Sequence, residues 1–360
     1  MSHVSNRFSP RSIEFQTRPV GFDIERAAKS DDPHHQNSLR LLIVGQMNRR
    51  TNFVRELASW IVWPTTLALF LTAYAWLLHF DYNPGLALFA LTIAHFLVIM
   101  GLEILMPARP DWAWNRDRQV VNDLVHGAML EAGARLGSAT LTIGIAAIAA
   151  AATPSGADAV WPVHLPFLVQ MAAAVLLYDA VDYWKHRAFH TWAWLWPVHA
   201  LHHNPTRMHI FKAGRLHFLE SSVRSLLTMA PLVILGAPPE IFFCIAALLN
   251  AFGNQNHWNV ETRLPRIMHL ILPTPQVHWL HHARDPVVGS GNYGSFTMLF
   301  DHLFGTYRAP DYTAIHDVGI AIDPIPGNLL GQIASPFIWP WLIRTRRQSS
   351  VNVTNGSRRQ

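Results

Sequence analysis

Residues 58–80, ASWIVWPTTLALFLTAYAWLLHF, and residues 84–107, PGLALFALTIAHFLVIMGLEILMP, are two nearly unbroken apolar runs separated only by Asp-Tyr-Asn. A run of about 20 apolar residues is what an α-helix needs to cross a bilayer. Three intervening residues leave room for a turn and nothing else, so the pair reads as a helical hairpin that crosses and returns. A third run, LGSATLTIGIAAIAAAAT (136–153), is rich in the small residues that permit close helix packing in lipid. The fourth, LPFLVQMAAAVLLYDAVDYW (165–184), leads directly into a histidine-dense region. Between Leu226 and Phe252 the chain is again apolar but is broken by GAPPE at 236–240, which fits two half-depth helices of a re-entrant hairpin. The fold class expected is an all-α integral membrane protein with about four transmembrane helices plus a re-entrant helical hairpin.

Composition agrees. Half of the 360 residues are apolar and 14% are charged, against about 25% charged in ordinary soluble proteins. The formal charge of +5 does not point to nucleic acid, because the cations flank the apolar runs instead of forming one stripe with interleaved aromatics. Arg49, Arg50 and Arg55 precede the first run; Arg109, Arg116 and Arg118 follow the second; Lys185 and Arg187 follow the fourth; Arg344, Arg346 and Arg347 lie near the C-terminus. The positive-inside rule puts these segments, and the dense histidines with them, on the cytoplasmic side. Residues 1–56 read as a polar, partly disordered arm without a cleavable signal, 57–310 as the membrane stem with the functional domain, and 311–360 as a C-terminal segment. The lone cysteine, Cys244, excludes within the chain a disulfide framework, a cysteine zinc site, an iron–sulfur cluster and a CxxCH haem attachment.

Any metal must therefore be held by nitrogen and oxygen. Of 21 histidines, 13 fall between His186 and His302. His186 and His190 are spaced i, i+4, and His199, His202 and His203 are spaced i, i+3, i+4, as are His278, His281 and His282. On helices each set projects from one side. Eight convergent imidazoles overfill a tetrahedral zinc site, whereas two ions with four or five each fit the count; imidazole alone leaves zinc, copper, iron and nickel open. Asp179 and Asp182, seven and four residues before His186, are placed to hydrogen-bond ligand imidazoles, and Glu220 and Asp301 are further candidates. His209, His269 and His302 read as structural, His79, His95, His126 and His164 as packing or interfacial, and Asn-Tyr-Gly at 292–294 as a glycine-permitted turn.

The stretches DYWKHRAFH, HALHHNPT, RLHFLE, NQNHWNV, HWLHHARD and NYGSFTMLFDHLFGTY resemble, in order and spacing, the membrane fatty acid hydroxylase and sterol desaturase superfamily over about residues 110–310. The resemblance implies an oxygen-activating di-iron enzyme that oxidises C–H bonds of lipids from a cytosolic histidine-rich cap over a helical stem. Its ligands would be His186, His190, His199, His202, His203, His257, His278, His281 and His282, with His217 either ligating or orienting a ligand. Family members often have Ser or Ala after the histidine where this chain has Trp258; the histidine itself is kept. The implied cofactors are two Fe ions, with O2 as co-substrate and an external electron donor. No cysteine cluster or dinucleotide glycine fingerprint is present to supply electrons, so a separate reductase or ferredoxin is expected. Hydroxylation is favoured over desaturation because it asks less of substrate placement. A membrane zinc hydrolase would be expected to carry a motif such as HExxH, which is absent, and a metal transporter would distribute ligands along its spans. The expected location is a membrane, the inner membrane if the chain is bacterial. Reporters attached at residues 157 and 290 are expected on opposite sides of the bilayer; the same side for both would overturn this topology.

Overall fold

The structure, a computed structural model, describes residues 33–152, 160–310 and 317–346. The chain divides into two units, Met1–Leu57 and Ala58–Gln360. Helix α1 (Pro33–His79) begins in the first and continues through the second, so the arm expected over 1–56 is helical from Pro33 onward. It is followed by α2 (Pro84–Leu105), α3 (Val120–Ala152), α4 (Phe167–Thr191), α5 (Trp196–His203), α6 (Phe218–Ile234), α7 (Pro239–His257), α8 (Arg266–Ile271), α9 (Pro275–His281), α10 (Pro286–Gly289), α11 (Leu299–Leu303) and α12 (Leu329–Ala334). Among the described residues there is no β-strand, only two isolated antiparallel bridges, Pro107 with Val260 and Ala283 with Val318.

Among the described residues three helical segments are long and apolar enough to cross a membrane: Phe53–His79, Pro84–Leu105 and Phe167–Thr191. The chain is an all-helical membrane protein. Their side chains bear this out, since α2 alone turns Leu86, Phe89, Leu97 and Leu105 outward, each more than half exposed, which water would penalise and lipid does not. The first two segments form the expected hairpin. Asp81 takes a left-handed φ of 57° in its turn, Asn83 caps α2 by accepting from Leu86 N at 3.0 Å, and Pro84 opens the helix where no N–H is needed.

The third expected span, 136–153, lies in α3 (Val120–Ala152) apart from its last residue, which is outside the described residues. It packs chiefly along α6. Gly133 and Gly137, in the run Gly-Ala-Arg-Leu-Gly, make that approach possible, for a Cβ would stand 2.4 Å from Phe218 O at the first and 2.2 Å from Ser222 O at the second. This is the small-xxx-small packing of membrane helices.

The expected break at 236–240 is a tight turn between α6 and α7. Gly236 has a φ of 75°, its N–H reaches Val233 O at 3.0 Å, and Ala237 N reaches Leu232 O at 2.9 Å. This double bond pattern around a left-handed glycine is a Schellman C-cap, and Pro238 and Pro239 then start the next helix.

One end of the bundle carries the remaining helices. Near the start of its second-unit portion, α1 accepts Arg263 N at Ser59 O, 2.8 Å. Near the end of α2, buried Glu103 accepts both Ile210 N and Asn259 N at 2.8 Å through Oε1. Because α1 and α2 run in opposite directions, these contacts belong to the same end, where α4 also finishes with His186 and His190. The C-terminal segment joins this layer, since Gly319 N donates to His282 O at 3.1 Å and Gln332 of α12 holds His126 of α3 at 3.1 Å.

Candidate metal centre

Nine histidines gather here in two nests. His186, His190, His199, His203 and His281 form one; His202, His257, His278 and His282 form the other; within each nest one nitrogen per ring lies within 4.8 Å of the rest. Helical rotation explains the division. Residues i and i+4 are about 40° apart around a helix and i+3 falls on the opposite flank. In α5, therefore, His199 and His203 enter the first nest and His202 the second. In α9 and its C-cap, His278 and His282 enter the second and His281 the first. Each triplet straddles both nests, which adjoin where His203 and His282 stack at 4.4 Å. His186 and His190, at i and i+4 on α4, stay together.

Second nitrogens are held from outside. His186 Nδ1 faces Tyr293 O at 3.0 Å, His199 Nδ1 faces Glu220 Oε1 at 2.8 Å, and His202 Nδ1 faces Arg215 O at 3.2 Å. His257 Nδ1 faces Gly253 O at 2.8 Å and His281 Nδ1 faces Gly291 O at 2.8 Å. A nitrogen beside a carbonyl oxygen must carry the proton, so in His186, His202, His257 and His281 Nε2 is a bare acceptor, and in His199 an ionised Glu220 has the same effect. Those acceptors point at one another. His186 and His199 bring Nε2 atoms to 3.2 Å, while Nε2 of His190 and His281 are buried with no partner at all. Two lone pairs aimed together in a buried site repel unless a cation lies between them, and the donor set therefore fits metal ions, with outer partners of the kind that orient metal-bound histidines.

The outer partners are themselves braced. The loop 291–297 supplies two of the five, and three carboxylates pin it. Asp301 accepts Tyr293 N at 2.9 Å and Gly294 N at 2.8 Å; Asp179 accepts Phe296 N at 3.0 Å and Thr297 N at 2.7 Å; Asp182 accepts Ser295 Oγ at 2.6 Å. The Asn-Tyr-Gly turn thus has a defined use. Asn292 sits at a left-handed φ of 58°, and a Cβ on Gly294 would lie 2.0 Å from Thr297 O.

Asp179, Asp182 and His217 differ from the expected placement, whereas Glu220 and the histidines read as structural, His209, His269 and His302, do not. The recorded hydrogen bonds of Asp179 and Asp182 go to this loop and to Lys185, not to imidazoles, because at the end of α4 the loop backbone occupies the face where the ligands were expected to reach back. Glu220 takes that role for His199; burial pushes its carboxyl up to about 7, opposed by Lys185 and Arg224. His217 is in neither nest. It caps α6, accepting Leu219 N at Nδ1, 3.2 Å, and facing Ile333 O through Nε2 at 3.0 Å, so neither nitrogen is left to ligate. His209 bonds Asp117 at 2.8 Å, and Lys212 fills that acidic group at 2.7 Å from Asp117 and 2.5 Å from Asp123. His269 bonds Thr274 at 2.5 Å and His302 faces Leu270 O at 2.8 Å, both outside the nests.

A cavity of about 1190 Å³ runs from the nests into the helical stem. Its walls include Phe96, Phe242 and Leu249 at one end and His186, His199 and His257 at the other. Two adjoining all-histidine nests at the end of membrane-length helices, open to a long apolar cavity, form a group that could hold metal in a membrane protein.

Comparison with known proteins places it further. Residues 171–306 match the fatty acid hydroxylase family. The chain is 31% identical over 284 residues to the ornithine lipid hydroxylase OlsE of Rhizobium tropici, covering 78% of this chain and 84% of that one. Alkylglycerol monooxygenases of Danio rerio and Homo sapiens are 30% identical over 154 residues and 27% over 144, spans that cover 33% and 32% of those proteins. No solved structure matches. The chain belongs to the fatty acid hydroxylase family.

Burial, then neighbouring imidazoles, hold His199, His202, His203, His278 and His282 well below the ordinary histidine value, and burial holds His281 at about 4. With folded values depressed, protonation favours the unfolded chain once pH falls below its ordinary value of about 6.5. Chelator-stripped protein is therefore expected to lose thermal stability steadily from about pH 6.5 toward pH 4. A melting temperature flat across that window would contradict the burial of these rings as neutral groups.

Proposed function

We propose that this chain is an O2-dependent lipid hydroxylase whose two iron ions are held by His186, His190, His199, His203 and His281 and by His202, His257, His278 and His282. The observation that carries the reading is the pair of adjoining nests with facing Nε2 acceptors at the end of a lipid-sized cavity. Nine ligands in two groups exceed what one tetrahedral zinc takes, and the family to which the chain belongs is one of hydroxylases. A bound iron pair would supply O2 reduction and C–H oxidation, placing one oxygen in the product alcohol and one in water at the cost of two electrons and two protons.

The chain's own residues do the rest. Glu220 and the carbonyls of Tyr293, Arg215, Gly253 and Gly291 fix which nitrogen of each ring faces inward. Burial of the rings keeps bulk water from the centre. The cavity exceeds the roughly 300–1,000 Å³ of drug-sized sites, and its phenylalanine and leucine walls suit an acyl chain. The names of the relatives, which act on ornithine lipid and alkylglycerol, support an amphiphilic lipid as substrate and hydroxylation as the outcome. Electrons come from a separate reductase or ferredoxin, and the basic flanks of the spans put the nests on the cytoplasmic side.

Replacing His202 or His281 by Ala leaves one nest short of a ligand and is expected to lower turnover by more than about 100-fold, since loss of an outer partner alone costs about 10- to 100-fold. His269→Ala is expected to retain most activity. With ¹⁸O2 and a reductant, one labelled oxygen is expected in the lipid product; an unlabelled alkene as sole product would make the enzyme a desaturase. Inactivation by His269→Ala as complete as by His202→Ala, in folded protein, would overturn the ligand assignment.

A further inference from the structure

The cavity is polar at the end nearest the histidines, and one cation there has unused donors. Arg224 of α6 lines the cavity together with His186, His199 and His202. Its Nε donates to Tyr178 OH at 3.1 Å and lies 3.4 Å from Asp182 Oδ1, with 30% of the side chain exposed. Tyr178 and Asp182 are themselves buried, so the Nε edge of the guanidinium is fixed and the opposite edge is aimed by default. Among the described residues no hydrogen bond is recorded from Nη1 or Nη2. A guanidinium carries five donors in a planar fork suited to carboxylate or phosphate, and four of the five are free here.

Most other charges on this wall are paired. Lys185 is paired with Asp182 at 2.7 Å, Asp123 with Lys212 and Arg215, and Glu220 with His199 through Oε1, its Oε2 being buried without a partner. Asn254 and Asn256 of α7 also line the cavity, and each has one buried amide atom without a partner. Asp182 precedes His186 by one turn of α4, so an anion on Arg224 would sit beside the first nest.

We propose that the free edge of Arg224 binds an anionic group, carboxylate or phosphate, at the polar end of the lipid substrate, with two parallel N–H donors. This rests on the reading of the chain as a lipid hydroxylase and adds an orientation to it. The head of the lipid lies by the histidines, the chain runs toward Phe89, Phe96 and Phe243, and the oxidised carbon belongs to the head or adjoins it.

The test uses the full-length, iron-loaded protein in dodecyl maltoside micelles. Equilibrium binding is measured for N-dodecanoyl-ornithine, its methyl ester, dodecanoyl lysophosphatidate and dodecanoylglycerol. Charge-assisted bonds of this kind predict that Arg224→Gln weakens a probe bearing a carboxylate or phosphate about 10- to 100-fold, that Arg224→Lys restores part of the loss, and that the methyl ester and the glyceride, which lack an anionic group, are indifferent to either change. Whichever acid shows the Arg224 dependence identifies the anion as carboxylate or phosphate. Equal binding of both acids to wild type and Arg224→Gln, at unchanged iron content and melting temperature, would overturn the proposal. Should the variants fail to fold, the wild type decides, because a methyl ester and glyceride that bind as tightly as the acids also overturn it. A wild-type chain that takes up no iron overturns the hydroxylase reading instead, independently of Arg224.

Discussion

Imidazole nitrogens that bear lone pairs do not normally point at one another inside a protein. Here His186 and His199 bring Nε2 to Nε2 at 3.2 Å, with Nδ1 of each beside an outward oxygen. His203 approaches His199 at 3.0 Å, and His257 and His282 each approach His278 at 3.1 Å. Within the nests five rings have their proton committed to an outward oxygen, which removes the simplest escape, a histidine-to-histidine hydrogen bond, for pairs such as His186 and His199. Burying unpaired polar atoms is costly, and the nests carry part of that cost at His190 Nε2 and His281 Nε2. Much of the surrounding architecture serves to hold rings in an arrangement they would leave if free. Asp301, Asp179 and Asp182 fix a loop; the loop offers Tyr293 O and Gly291 O; those carbonyls set two rings.

The membrane stem supplies the other half. Glu103 ties the end of α2 to Ile210 and Asn259, and Asn259 in turn clamps Arg109 N at 2.9 Å and Arg109 O at 2.8 Å. These bonds seat the histidine layer on the bundle. Gly133 and Gly137 bring α3 against α6, so that the cavity is walled by α2, α3, α6 and α7 and reaches the nests. Phe96, Phe242 and Leu249 line it toward the stem, and Asp182, Lys185, Glu220 and Arg224 line it near the histidines.

Much of this is legible in the sequence because it depends on local spacing. Apolar run length gives the hairpin, and i, i+4 repetition gives ligands that share a nest. The i+3 histidines, His202 and His281, are also visible, but their passage to the opposite nest depends on how α5 and α9 face each other. Asp179 and Asp182 have the helical phase of ligand partners and yet serve the 291–297 loop, a competitor for hydrogen bonds that arrives from more than a hundred residues away. His217 carries a histidine of the motif in a capping position, and capping becomes evident only once the start of α6 is known. The small residues of 136–153 carry a close-packing signal; that Gly133, outside that run, shares the contact and that the partner is the backbone at Phe218 and Ser222 depends on the fold.

The most direct test of the account is metal analysis of the protein purified anaerobically, with His202→Ala and His281→Ala beside it. The proposed function predicts two ions per chain, iron in the wild type, with each variant losing metal from the nest it belongs to. A wild-type protein that is folded and holds a single ion, or none, would contradict the claim that the two nests exist to be occupied by cations.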